Sequence, residues 1–167
     1  MGMILSLIRV SSEELNSFLE NSNLLEEKFY AEESIDADWN VDLGKDWDGV
    51  QYLLSGKGSF HLKEPLNPID KSMFTFKLID PEQDLGYGPA QYLTSAEVKE
   101  TSVALNSVTH NDFSNRFNAD EMDRQSVYPG GWTHMDAKEY LLNSLNKLIK
   151  FYSEAAENNE AVITIMN

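Results

Sequence analysis

Two carboxylates flank an aromatic ring at Asp46-Trp47-Asp48. Paired carboxylates divide acid and base roles when their surroundings push their pKa values apart. In a chain with 28 acidic residues against 13 Lys and Arg, however, a pair alone carries little information. Tyr87, Tyr92, Tyr128 and Trp132 fall near turn signals as Trp47 does, and Arg116 is a rare cation among them. A ring with one polar edge suits a pocket or an interface, and it suits a core as well. One expectation is therefore a pocket lined by Trp47, Tyr87, Tyr92, Tyr128 and Trp132. Arg116 would clamp an anionic group there and Asp46 would serve as acid or base. The competing expectation is that most of these rings simply pack.

Other chemistries fail on their spacing. Asp36, Asp38 and Asn40 match positions 1, 3 and 5 of a calcium loop. Its turn glycine is replaced by Val41 and its bidentate glutamate by Trp47, so a solvated acidic loop is expected instead. Gly56-Lys57-Gly58-Ser59 resembles a phosphate loop only faintly. Gln51 stands where the motif's first glycine belongs, and Gly58 where magnesium's hydroxyl ligand would be, so helix capping by Gly56 explains the local glycine. His61, His110 and His134 show no metal spacing. No Gly-x-Ser-x-Gly elbow occurs. The absence of cysteine removes disulfides, thiolate metal sites and a cysteine nucleophile, and fits a cytoplasmic protein. No metal or cofactor is expected.

The formal net charge of −15 bears on partners. Such a surface repels phosphate backbones, which argues against nucleic acid, and it attracts a basic protein partner. No apolar run reaches membrane-spanning length, and the N-terminus lacks the character of a signal peptide. Met1-Gly2-Met3-Ile4-Leu5-Ser6 matches the myristoylation pattern, but a strand accounts for the same residues and no basic patch supplies a second membrane signal.

The elements that must position these residues follow from periodicity. The 167 residues read as one domain, 1–167, and 41% hydrophobic content argues against disorder. Met3 to Val10 reads as a central strand and Ala161 to Met166 as a terminal one. Met73 to Ile79, with Phe74, Phe76 and Leu78 on one face, reads as another. Helices are expected from a capping box at Ser11 and Glu14, over Leu24 to Glu33, and from Trp47 to Ser55 with Asp46 as cap and Gly56 as stop. Ser59 to Leu62 reads as extended, and Asp36 to Leu43 as a loop.

Gly86-Tyr87-Gly88-Pro89 reads as a rigid turn, Gln91-Tyr92-Leu93 as a short strand, and Thr94-Ser95-Ala96-Glu97 as a helix start. A helix N-terminus behind a glycine turn can bind an anion. Further helices are expected over Ser95 to Ser107, Asn111 to Phe117, Asn118 to Gln125, and Ala137 to Glu157 with Asp136 as cap. The fold class is α+β, a single domain with a mixed β-sheet covered by helices.

The chain resembles the YfbM-like family, a bacterial domain family of unknown function. The resemblance rests on Met1-Gly2-Met3-Ile4, on Asp46-Trp47 with Tyr52-Leu53-Leu54-Ser55-Gly56, and on Gly86-Tyr87-Gly88-Pro89-Ala90-Gln91-Tyr92-Leu93. It continues through Arg116, Met122, Tyr128-Pro129, Trp132, Glu139-Tyr140-Leu141 and Phe151-Tyr152. It implies a compact bacterial protein of α/β type and brings no catalytic residue with it. Family members often carry histidine where Gln51 stands here, so a base at that position would be missing. The expected role is binding or interaction, in one form an immunity-type protein that neutralises a basic partner. The alternative is an enzyme or small-ligand binder that holds an anion through Arg116, and a third is a homo-oligomer.

Overall fold

A segment that is apolar on both faces belongs in the middle of a sheet. In the computed structural model, which describes residues 2–35 and 37–167, Leu5–Val10 forms strand β1 and is buried throughout. Strands β2 (Asn40–Asp42), β3 (Gln91–Leu93) and β4 (Ala161–Met166) complete a sheet of order β2-β1-β4-β3. The two long strands lie side by side, with Leu5 opposite Met166 and Val10 opposite Ala161.

The class is α+β, as expected, but the sheet is antiparallel throughout rather than mixed. The reason lies in the connections. Val10, Asn40, Leu93 and Ala161 share one end of the sheet. The excursions from Val10 to Asn40 and from Leu93 to Ala161 leave and re-enter at that end, so each returning strand runs antiparallel to the one it left. The connection from Asp42 to Gln91, which includes the helix begun at Trp47, leaves and re-enters at the opposite end, beside Leu5 and Met166.

Each face of the sheet carries its own core. Helices α1 (Ser12–Glu20) and α2 (Asn23–Phe29) place Leu15, Phe18, Leu25 and Phe29 against Ile8, Val10, Ile163 and Ile165. The other face is covered by α3 (Trp47–Ser55), α4 (Ser95–Asn106), α5 (His110–Arg116), α6 (Ala119–Arg124) and the 20-residue α7 (Lys138–Glu157). Leu141, Leu145, Leu148 and Tyr152 of α7 pack there with Leu53, Val98 and Leu105. Tyr152 is wholly buried; its hydroxyl donates to the Ser72 carbonyl at 2.7 Å, and burial pushes its pKa up.

The capping boxes at Ser11 and Thr94 form as read, and Thr109 adds another with Asp112. Gly56 closes α3 in the left-handed conformation, φ 75°. Asp136 does not cap α7, which begins after Ala137 without a side-chain cap. Ser59–His61 is a 3-10 turn rather than extended chain. Within Asp36 to Leu43, Asn40–Asp42 pairs with β1 as an edge strand. Asp36, the first position of the calcium-loop pattern, and Met1 of the myristoylation pattern lie outside the described residues.

The largest correction is Met73 to Ile79, which is not a strand. Only Leu78 bridges to Gln91, and Phe76 takes a left-handed φ of 58°. The expected common face does not form, since Phe74 is buried while Phe76 and Leu78 are exposed. Lys77 and Ile79 exchange backbone bonds with Tyr92 and Ala90, at 3.0 and 2.9 Å, but Thr75 and Phe76 have no backbone partner among the described residues. The Gln91 side chain stands in for one, its Oε1 accepting from the amides of Thr75 at 2.8 Å and Phe76 at 2.9 Å.

Candidate functional site

At the end of the sheet marked by Leu5, Gln91 and Met166 lies an apolar cleft of about 270 Å³. Its floor is Leu5 and Thr164 from the central strands, with Trp47 at the start of α3 and Phe74 beside it. Phe60, Phe76 and Tyr87 line it from above and are respectively 73%, 45% and 49% exposed. An exposed aromatic rim over an apolar floor is the one combination here that plain packing does not explain.

Each wall has an identifiable support. Trp47 donates its Nε1–H to the Met3 carbonyl at 3.1 Å, and the Met3 amide donates to the Tyr128 hydroxyl oxygen at 3.1 Å. The two rings that hold the Met3 backbone are themselves stacked, centroids 5.4 Å apart and planes 19° apart. Phe74 meets Trp47 edge-on at 5.8 Å. Asp48, fully buried one position further on, accepts from the amides of Ser59 at 2.6 Å and Tyr128 at 2.8 Å. It thereby ties the turn carrying Phe60 to the loop that carries Tyr128.

Tyr87 is aimed by its turn. Asp84 Oδ1 accepts from the amides of Gly86 at 2.9 Å and Gly88 at 3.0 Å, which holds the Asp84 carboxyl below the usual range. The Tyr87 amide donates to the Met166 carbonyl at 3.1 Å. Gly86, at φ 129°, allows the turn to pass the chain end, where an added Cβ would stand 3.0 Å from Asn167 Cα. These bonds correct the expectation of an anion site at this turn, because its amides already have acceptors. The amides of Thr94 and Glu97 are likewise used within their own capping box.

The cleft therefore gathers two of the expected rings, Trp47 and Tyr87. Tyr128 stacks behind Trp47 and does not line it. Trp132 is buried under α3, its Nε1–H donating to the Val127 carbonyl at 2.8 Å. A Cβ on Gly49 would come within 2.7 Å of the Trp132 ring, so that helix position has to be glycine. Tyr92 packs with the α1 and α2 core, under Lys77, whose Nζ lies 4.5 Å from the ring centroid. Arg116 donates to the carbonyls of Leu53, at 3.0 Å, and Leu54, so it closes the C-terminal end of α3 instead of clamping a ligand in the cleft.

Asp46 sits at the helix start but caps nothing; its Oδ2 accepts from Ser144 Oγ of α7 at 2.8 Å. Burial raises its pKa, against the Ser144 bond and the charge of Lys147. Gln51 is fully buried and donates to Asp70 Oδ1 at 3.2 Å and Ser55 Oγ at 3.1 Å.

Sequence reasoning missed Phe60, Phe74, Phe76, Gln91 and Thr164. A usable signal existed for Phe60, a phenylalanine set alone in the polar stretch Gly58-Ser59-Phe60-His61. Among the described residues, no group of three or more His, Asp and Glu is arranged to hold a metal ion.

Comparison with known proteins agrees with this architecture. The family model for a domain of unknown function, DUF1877, matches residues 1–165. The chain belongs to that family. The crystal structure of YfbM from Escherichia coli, a protein of unknown function, is similar over 98% of this chain and 99% of that one. The TM-score is 0.72 and the identity 19%, so the likeness speaks for the fold. No curated protein matches. No helix among the described residues is long and apolar enough to cross a membrane.

Proposed function

We propose that this chain is a cytoplasmic binding protein that seats an apolar side chain of a basic protein partner in the cleft. The observation that carries the reading is the rim, where Phe60, Phe76 and Tyr87 stay exposed over a floor of buried aromatic and aliphatic groups. At about 270 Å³ the cleft falls just short of the roughly 300–1,000 Å³ of small-molecule sites, which favours one inserted side chain. Phe76 keeps a left-handed backbone, a conformation that costs a bulky residue about 1–3 kcal/mol and that is typical of functional positions. The net charge of −15 supplies the complement to a basic surface and would speed encounter with it. An immunity-type protein that neutralises a basic toxin is one concrete form of this role.

Selection from a random peptide library on the immobilised protein tests the reading. The expected winners place an aromatic or large aliphatic residue among Lys and Arg, bind more slowly as salt is raised, and are lost on Phe60→Ala. Winners without that pattern, or binding indifferent to both salt and Phe60, would count against it.

A further inference from the structure

A second pocket opens beyond the C-terminal end of α3, and its chemistry is the reverse of the cleft's. Lys57, His61, Lys63, Asn67, Asp70 and Gln125 border about 610 Å³ of open space. Lys, Arg and His are scarce in this chain, 13 and 3 among 167 residues, yet three of them meet here. Among the described residues neither Lys57 nor Lys63 pairs with a carboxylate, although the chain carries 28 acidic residues.

The hydrogen bonds around the pocket fix which atoms remain for a ligand. His61 Nε2 lies 3.2 Å from the Gln125 carbonyl, which can only accept, so Nε2 bears the hydrogen and Nδ1 is left over. Asn67 Oδ1 accepts from the Asp70 amide at 2.9 Å, which leaves the Asn67 amino group to donate. Asp70 Oδ1 accepts from Gln51, so Oδ2 remains as an acceptor. Burial raises the Asp70 carboxyl, against the Gln51 bond, the Lys57 charge and the nearby Ser55 hydroxyl. The backbone of the glycine loop takes no part. Its Gly58 amide donates to Gln125 Oε1 at 3.2 Å and its Ser59 amide to Asp48, which is why the phosphate-loop reading fails while the side chains still favour an anion.

We propose that this pocket binds a small phosphate monoester that also carries a hydroxyl group. Such a phosphate has a charge of about −1.5 to −2 at neutral pH, which matches two unpaired ammonium groups, and lysine serves phosphate as a point charge. Asp70 Oδ2 accepts from the ligand's carbon-borne hydroxyl while the phosphate group meets the lysines. Inorganic phosphate has only P–OH to offer Asp70 and gives it up at the expense of its contacts to the lysines, so Asp70 favours an organic phosphate over the inorganic ion.

Titration of the ¹⁵N-labelled protein at constant ionic strength tests this, with glycerol 3-phosphate, inorganic phosphate, glycerate and chloride as probes. Glycerol 3-phosphate is expected to give saturable shifts at residues 57–63 and 67–70, and to bind more tightly than the other three. The double variant K57S/K63S changes exposed side chains, and its otherwise unaltered spectrum verifies the fold. It is expected to weaken binding at least about tenfold. In D70N the preference over inorganic phosphate is expected to shrink towards none.

Absence of saturable shifts, or undiminished affinity in K57S/K63S, would overturn the proposal. Equal shifts from chloride would mean an adventitious ion only. Glycerate binding as tightly as glycerol 3-phosphate would overturn the choice of phosphate, and an unchanged preference in D70N would overturn the role of Asp70.

Discussion

The cleft has a frame and a rim, and the two are built on opposite terms. In the frame, Trp47 and Tyr128 are stacked and both bond the Met3 backbone. Asp48 is buried with two amides. In the rim, Phe60, Phe76 and Tyr87 expose half or more of their surface or close to it, and Phe76 holds a strained φ. Buried polar groups are costly to orphan, whereas exposed rings away from special contacts contribute little to stability. The difference teaches that an aromatic residue's role is decided by where its polar edge and its ring face go. The frame serves folding, and the rim is left over for recognition.

Substitutions can break or sharpen that division. Trp47→Ala removes a buried ring and its bond to Met3 and is expected to cost about 3–5 kcal/mol, read as a fall in the midpoint of urea unfolding. A cost under about 1 kcal/mol would place Trp47 with the rim. Asp48→Ala leaves the Ser59 and Tyr128 amides without their acceptor. It should cost about 1–3 kcal/mol and loosen the turn that bears Phe60, seen as faster amide exchange at residues 58–61.

Asp46 stands at the edge of the frame, and its effect is smaller and depends on pH. Its folded pKa is raised, chiefly by burial, so the folded state binds the proton more tightly than the unfolded chain. Its contribution to stability is greatest below the ordinary aspartate range and is lost as pH rises through the raised value. Asp46→Asn keeps an acceptor for Ser144 and cannot ionise. Unfolding curves from acid to neutral pH should therefore show a shallower decline above the ordinary aspartate range than the parent, and no loss of stability at pH 7.

Much of this was legible in the sequence because it is local. The boxes at Ser11 and Thr94, the glycine stop at Gly56 and the two-faced β1 need only neighbouring residues and a period. The failures share a cause, which is a partner distant in sequence. Met73 to Ile79 has a strand's alternation, but whether it pairs depends on Gln91, 16 residues beyond Thr75. Arg116 looks like a free cation until the ends of α3 and α5 meet and the Leu53 and Leu54 carbonyls claim it. Tyr128 reads as a pocket liner until the Met3 amide, 125 residues away, donates to its hydroxyl oxygen. Phe60 gave the opposite error: a lone ring in a polar loop was passed over because its neighbours carry the turn chemistry.

The most direct test of the division is one double variant, Phe60→Ala with Tyr87→Ala, measured for thermal unfolding and for calorimetric binding of a cationic, aromatic-bearing peptide selected on the parent protein. The prediction is an unfolding free energy within about 0.5 kcal/mol for each site and a loss of measurable peptide binding. A marked loss of stability, or peptide affinity equal to that of the parent, would contradict it.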